Sequence, residues 1–167
     1  MTEQKQEALD SLAASRRALH QAIHGLSEED VTQVQVEGIW TIKDVLGHIA
    51  SWEETYLAPL RRYADGGPFE AAVIEDYTPW NEEQADRKRH IPLSAILDEL
   101  NAIRQELVAT ASRLSTEQWQ RSLPFTWGGK GTVAQALDVL AEHEWDHVRT
   151  IQHWRENRGR VGLPKTN

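Results

Sequence analysis

Ala141-Glu142-His143-Glu144-Trp145-Asp146-His147-Val148 sets two histidines four residues apart inside a long amphipathic segment. Positions i and i+4 share one face of an α-helix, with Cβ atoms about 5–6 Å apart. Two imidazoles on that spacing reach one metal ion, although the pair alone is a weak signal. Its direction adds weight. The apolar stripe of the segment runs Val133, Ala136, Leu137, Leu140, Val148, Ile151, Trp154. At ~100° per residue, His143 and His147 fall within roughly 60° of Leu140, the centre of that stripe. Both rings therefore point inward, where an unpaired polar group is costly.

Working outward, the same periodicity divides the chain into four long helices. The last begins with Thr132 as N-cap and Gln135 at N3, a capping box, and runs to about Gly159. The first covers about residues 3–25, on a seam of Leu9, Leu12, Arg16, Leu19, Ile23 and Leu26, with Gly25 as its stop. The second starts behind Thr41, with Asp44 at N3 and Ile39 or Trp40 stapling its entry. Its stripe is Ile42, Val45, Ile49, Trp52, Tyr56, Leu60 and Tyr63, and Pro59 is a candidate bend. The third runs from about Pro92 to Leu114 on Leu93, Ile96, Leu97, Leu100, Ile103, Leu107 and Ala111. Between the second and third, Asp65-Gly66-Gly67-Pro68 breaks the chain, and Thr78-Pro79 starts a short helix as N-cap and N1. Val36-Glu37-Gly38 reads as a polar connection and Trp127-Gly128-Gly129-Lys130-Gly131 as a flexible lead, without the pattern of a phosphate loop.

An internal repeat ties these pieces together. Leu26-Ser27-Glu28-Glu29-Asp30-Val31 is echoed by Leu114-Ser115-Thr116-Glu117-Gln118-Trp119, and Thr41-Ile42 with Leu46 by Thr132-Val133 with Leu137. Each half reads helix, capped turn, connection, capped helix. The expectation is an all-α four-helix bundle with a long crossover between its second and third helices, forming one domain over residues 1–167.

His48 completes a candidate site. It flanks the second-helix stripe, in the half of the repeat that corresponds to the helix of His143 and His147. Side-by-side packing of those two helices brings three imidazoles together. Three nitrogen ligands with positions left open describe a catalytic rather than a closed structural metal site, and Zn²⁺, Ni²⁺ or Fe²⁺ all accept them. Glu144, roughly 40° from the stripe centre, is a candidate fourth ligand, supporting carboxylate or catalytic base, set against a solvated bundle-edge role. Asp44 reads first as a cap. His20 and His24 flank their seam and read as a solvated edge, and His90 and His153 have no partner. Trp40, Trp52, Tyr56, Trp80, Asn81 and Trp145 are candidate pocket walls, each with core packing as the plainer role.

Composition bounds the chemistry. The 167 residues include no cysteine, which removes disulfides, zinc thiolates and cysteine nucleophiles. A net charge of −8 argues against a nucleic-acid partner. The polar start and the lack of a long apolar run give the expectation of a cytoplasmic protein away from membranes.

Trp40-Thr41-Ile42-Lys43-Asp44-Val45-Leu46-Gly47-His48, Trp80-Asn81, and Thr132-Val133 leading to His143-Glu144 and His147 together resemble the DinB-like superfamily over nearly the whole chain. The resemblance implies an up-down-down-up bundle, a divalent metal held by His48, His143 and His147, and a homodimer. Members with known activity include thiol S-transferases and isomerases that use bacillithiol or mycothiol, in which the metal activates a low-molecular-weight thiol. It therefore implies a small-molecule substrate and a transferase- or hydrolase-type reaction, with a non-catalytic metal- or ligand-binding bundle as the alternative.

Overall fold

The computed structural model describes residues 2–158. Met1 and Gly159, the expected outer end of the last helix, lie outside them. Helix α1 (Glu3–Ile23) leads through the short α2 (Glu28–Thr32) and a hairpin of β1 (Gln35–Glu37) and β2 (Trp40–Thr41) into α3 (Ile42–Ala64). A crossover follows, carrying α4 (Tyr77–Lys88). The order then repeats: α5 (Leu93–Ser112), the short α6 (Thr116–Gln120), a hairpin of β3 (Leu123–Pro124) and β4 (Lys130–Gly131), and α7 (Val133–Asn157).

Local chemistry sets these boundaries. Four helices open on reciprocal capping boxes, at Ser27 with Asp30, Thr41 with Asp44, Ser115 with Gln118 and Thr132 with Gln135. The two halves of the repeat thus use the same devices at corresponding starts. The Asp44 carboxylate accepts from the Thr41 backbone N–H and hydroxyl, so its capping role is the one realised. Trp40, packed against the core, staples the entry of α3, whereas Ile39 is exposed. Gly25 adopts φ 77°, a left-handed conformation beyond the end of α1 that suits glycine.

Two local expectations are revised. The two connections read as polar or flexible are antiparallel hairpins, turned by Gly38 in one and by Gly128 and Gly129 in the other, all at positive φ. Strands this short leave no alternating pattern to read. Helix α4 starts at Tyr77 behind Asp76, so Pro79 stands at its third residue rather than its first. Proline is still tolerated there, because the first-turn N–H groups have no intrahelical partner. Pro59 lies inside α3, which continues to Ala64.

The long helices form a four-helix bundle with up-down-down-up topology. Arg155 near the end of α7 reaches the carbonyls of Ala22 and His24 at the end of α1, while Ser15 meets Glu144 further back, so α1 and α7 run parallel. Helices α3 and α5 are also parallel: Gly47 approaches Ile96 near their starts and Asp65 pairs with Arg113 beyond their ends. Helices α1 and α5 run opposite, with Lys5 donating to the Ser112 and Leu114 carbonyls. The core between them is Leu12, Leu19, Val45, Leu46, Ile49, Leu57, Leu100, Leu107, Leu137 and Leu140, with companions.

That core is crossed by a charge cluster drawing one charged residue from each long helix. Arg16 of α1 donates to Glu144 of α7 at 2.9 Å and to Glu53 of α3 at 3.1 Å. Arg104 of α5 pairs with Glu53 and donates to Glu144 at 3.2 Å. Ser15 donates to Glu144 at 2.7 Å, and each arginine also donates to a backbone carbonyl, Leu100 for Arg16 and Leu12 for Arg104. All four charged side chains are buried. Two positive and two negative groups balance, which is what makes their burial tolerable. Arg104→Met should therefore lower unfolding free energy in urea by about 3–5 kcal/mol, because two carboxylates are left with one cation. Arg61→Ala, at a half-exposed pair with Glu54 and Glu106, should cost under about 1 kcal/mol. Equal small losses in both variants would show that the buried cluster does not hold the helices.

Candidate metal centre

His48 is presented by the second turn of α3, and His143 and His147 by the middle of α7. The antiparallel packing of these helices brings the three rings together edge to face. The Nε2 atom of His143 lies 2.9 Å from that of His48 and 3.1 Å from that of His147. One nitrogen from each ring lies within 4.8 Å of the others. His48 and His147 are buried and His143 partly so.

The hairpin between α2 and α3 contributes the rest. Glu37, on β1, places a carboxylate oxygen 2.8 Å from Nδ1 of His147. A carboxylate there requires the neutral ring's proton on Nδ1, which leaves Nε2 as a bare lone pair facing the other rings. Trp40, on β2, packs its ring 4.8 Å from that of His48. Nδ1 of His48 is buried and meets no hydrogen-bond partner among the described residues, so packing rather than a hydrogen bond orients that ring.

The electrostatics favour neutral imidazoles. Burial and the neighbouring His143 and His147 push His48 down to about 2. Burial, then His147, lowers His143 to about 4, despite the opposing pull of Asp146, Glu144 and Glu37. The hydrogen bond from His147 holds Glu37 below the ordinary carboxylate range. At neutral pH His48 and His143 are therefore neutral rings, each carrying one ring proton and one free lone pair. Nitrogens bound tetrahedrally at ~2.0–2.1 Å stand about 3.3 Å apart, close to the 2.9 and 3.1 Å that separate His143 from the other two. The donor set thus fits a divalent ion that accepts imidazole.

The cluster opens into a cavity of about 600 Å³. Of the expected wall residues, Trp40, Trp52 and Asn81 line it, joined by Glu37, Tyr77, Trp127, Val139, Leu140 and Asp146. Trp80 sits behind Trp52, ring centroids 4.5 Å apart. Tyr56 is fully buried beside Phe69 and Trp127, and Trp145 packs against the hydrophobic core. Neither lines the cavity. Glu144 is also not brought to it: its carboxylate is fully buried in the cluster with Arg16, Arg104 and Ser15. The solvated-edge alternative for this residue fails equally. His20, His24, His90 and His153 are all exposed.

Glu37, Tyr77 and Trp127 escaped sequence reading because loops and hairpins supply them. No periodicity marks a residue whose place is set by a turn. Asp146, next to His147, was within reach of the helical register.

Fold and cluster together define a helical bundle with a candidate metal centre open to a pocket. The chain belongs to the DinB superfamily, whose family model matches residues 11–151. A relative from Oceanobacillus iheyensis, provisionally named a metal-dependent hydrolase, is 26% identical over 147 residues, spanning 87% of this chain and 82% of its own. YfiT of Bacillus subtilis, described as a probable metal-dependent hydrolase with an unusual four-helix bundle topology, superposes with a TM-score of 0.74 at 19% identity, covering 95% of this chain and 90% of that one. A mycothiol-dependent maleylpyruvate isomerase gives 0.74 at 12% identity, over 90% of this chain and 63% of that one. At these identities the two structures show the shared fold. No helix among the described residues is long and apolar enough to cross a membrane.

The depressed histidines carry a stability signature. In the unfolded chain each imidazole titrates near ~6.5. Below that pH the unfolded state binds protons that folded His48 and His143 refuse until about 2 and about 4. Unfolding is thereby favoured as pH falls. Chelator-treated protein should lose stability progressively from about pH 6.5 downward, at roughly 1 kcal/mol or more per pH unit once both unfolded-state rings are charged. Replacing His48 and His143 together by Asn should flatten that slope in urea melts taken across pH 4.5–7. An unchanged slope would show that the two rings are not held neutral.

Proposed function

We propose that His48, His143 and His147 hold a divalent cation (zinc, nickel or iron) and that the protein is a metal-dependent enzyme acting on a small electrophile with a thiol or water as nucleophile. The observation carrying this reading is the convergence of three Nε2 atoms on the wall of an open cavity. A purely structural metal site would be closed by a fourth protein ligand. The names of the relatives support both branches, hydrolase-type and thiol-dependent, and a low-molecular-weight thiol is the co-substrate of the second.

A bound divalent ion supplies Lewis acidity that lowers the pKa of a coordinated water or thiol toward neutrality. The chain's own residues prepare the site for it. Glu37 keeps the proton on Nδ1 of His147 and so directs Nε2 inward. Trp40 holds the face of His48. The aromatic walls displace water from the space beside the rings, which strengthens electrostatic effects there. The Asn81 amide, whose oxygen accepts from Trp52 Nε1 at 2.9 Å, leaves its NH₂ to orient a substrate acceptor. Glu144 belongs to the cluster that sets the helices, with no part in the chemistry.

Tag-free protein should contain about one divalent ion per chain by elemental analysis, as expected for one such centre. His147→Ala should abolish that stoichiometry together with turnover of a model electrophile. Full rate in His147→Ala would sink the enzymatic reading, and no stoichiometric metal in wild type would sink the centre itself. Glu37→Ala should weaken metal affinity by about 10–100-fold in a competitive chelator titration while leaving the far-ultraviolet circular dichroism unchanged. Unaltered affinity would remove Glu37 from the site.

A further inference from the structure

Given that the cavity is the substrate site proposed above, we infer that it selects a flat, largely apolar molecule whose body carries no negative charge, either neutral or cationic. The walls present ring surface, and two of the rings have their polar ends already used. Trp52 Nε1 donates to Asn81, and the Tyr77 hydroxyl donates to the Trp127 carbonyl. The Trp52 and Tyr77 rings stand at 86°, centroids 5.4 Å apart, forming a corner of aromatic carbon. Trp40 and Trp127 add two further indoles to the lining. A volume of about 600 Å³ takes a molecule of one or two rings with its substituents.

The mouth is apolar as well. Four large hydrophobic residues are exposed among the described residues, and Tyr77 and Val139, at 46% and 41% exposure, both line this cavity. Ile39, at 72%, neighbours Trp40 on the same hairpin. The fourth, Val73, lies on the crossover outside this lining, so the grouping of the other three on or beside the cavity marks a path for an apolar body.

Charge supplies the selectivity. Among the described residues, the only charged ones lining the cavity are Glu37 and Asp146, with no lysine or arginine beside them. The nearby Arg149 is turned to Asp146 at 2.6 Å and to Glu142 at 3.5 Å. Proteins recognise carboxylate, sulfonate or phosphate bodies with arginine, lysine or a free helix N-terminus. The N-termini of α3 and α7 are both closed by their own capping boxes, and that of α4, which has no side-chain cap bond, is preceded by the acidic Asp76. Aromatic faces and carboxylates together instead attract cations. An anionic atom in the substrate is therefore confined to the histidine end, and the rest of the molecule, including any thiol carrier, is uncharged or positive.

Three probes of one shape test this: 1-naphthalenemethanol, 1-naphthalenemethylammonium and 1-naphthalenesulfonate. They are titrated into chelator-treated protein, whose folding is verified by circular dichroism, and binding is read from the indole N–H cross-peaks of the tryptophans. The alcohol and the ammonium should shift Trp40, Trp52 and Trp127, and the sulfonate should bind at least about tenfold more weakly. In the Glu37→Gln/Asp146→Asn double variant, the gap between sulfonate and alcohol should shrink to about threefold or less. Sulfonate binding as tight as the alcohol in wild type, shifts confined to other tryptophans, or no binding by any probe would each overturn the assignment. The order in chelated protein does not depend on a metal, so it stands or falls apart from the metal reading. Should chelation unfold the chain, the same series on protein as purified remains decisive: the order must hold, and Trp52→Leu must weaken the alcohol at least about fivefold.

Discussion

Inside the bundle, the guanidinium groups of Arg16 and Arg104 and the carboxylates of Glu53 and Glu144 meet with almost no water around them. Each comes from a different long helix, and none can be rotated out without stranding the others. Hydrophobic packing is tolerant of small rotations, because leucines interdigitate in several ways at similar energy. A buried ion cluster is not, since a lost partner leaves an uncompensated charge. The rotation of each helix about its axis is therefore set more narrowly by these charges than by the apolar core. Whether such a cluster also adds net stability over an apolar replacement is a separate matter, and a fully apolar set of similar volume can do as well.

The histidine cluster inherits this constraint. Glu144 follows His143 directly and precedes His147 by three residues, so holding its carboxylate toward α1 and α5 turns the His143–His147 face toward α3. Glu53 lies five residues beyond His48 on α3 and is held from both sides by the two arginines. With both helices fixed in rotation, three Nε2 atoms converge although α3 and α7 pack less extensively than α1 with α7 or α3 with α5. The hairpin then adds Glu37 and Trp40, anchored by the capping box that starts α3 one residue after Trp40. Site geometry thus flows from buried charge to helix rotation to imidazole placement, and a lighter frame of loops finishes it.

Much of this was legible in the chain. Four stripes of apolar residues at helical spacing gave the helices, and capping residues such as Thr41 and Thr132 gave their starts. His48, His143 and His147 were readable because helical periodicity assigns direction, and direction made three polar rings stand out among leucines. Arg16 was visible in the seam of α1, yet its meaning needed partners that a single helix does not reveal. Glu53 lies between Ile49 and Tyr56, and Arg104 follows Leu100 by one turn, so both sit on inward faces that no single helix shows to be paired. Glu144 shows the limit of angular reasoning: the angle leaves it between core and edge and cannot say which neighbour lies there, whereas it is fully buried against two arginines. Glu37, Tyr77 and Trp127 were hidden for another reason, since short hairpins and the start of α4 are placed by turns and tertiary contacts.

The asymmetry between the two halves of the repeat is what turns a scaffold into a site. Both halves run helix, capped short helix, hairpin, capped helix, with corresponding residues at Thr41 and Thr132. The first half contributes one histidine, a carboxylate and an indole from its hairpin end, while the second contributes two histidines from the middle of its last helix. The crossover between them is longer than joining two parallel helices requires. It delivers α4, whose Tyr77 and Asn81 close the cavity against Trp127 and Trp52. A symmetric pair of halves would leave the space beside the histidines open to water. Placing α4 there converts an exposed cluster of imidazoles into the wall of an aromatic pocket, which is the condition under which a small molecule can be held beside them.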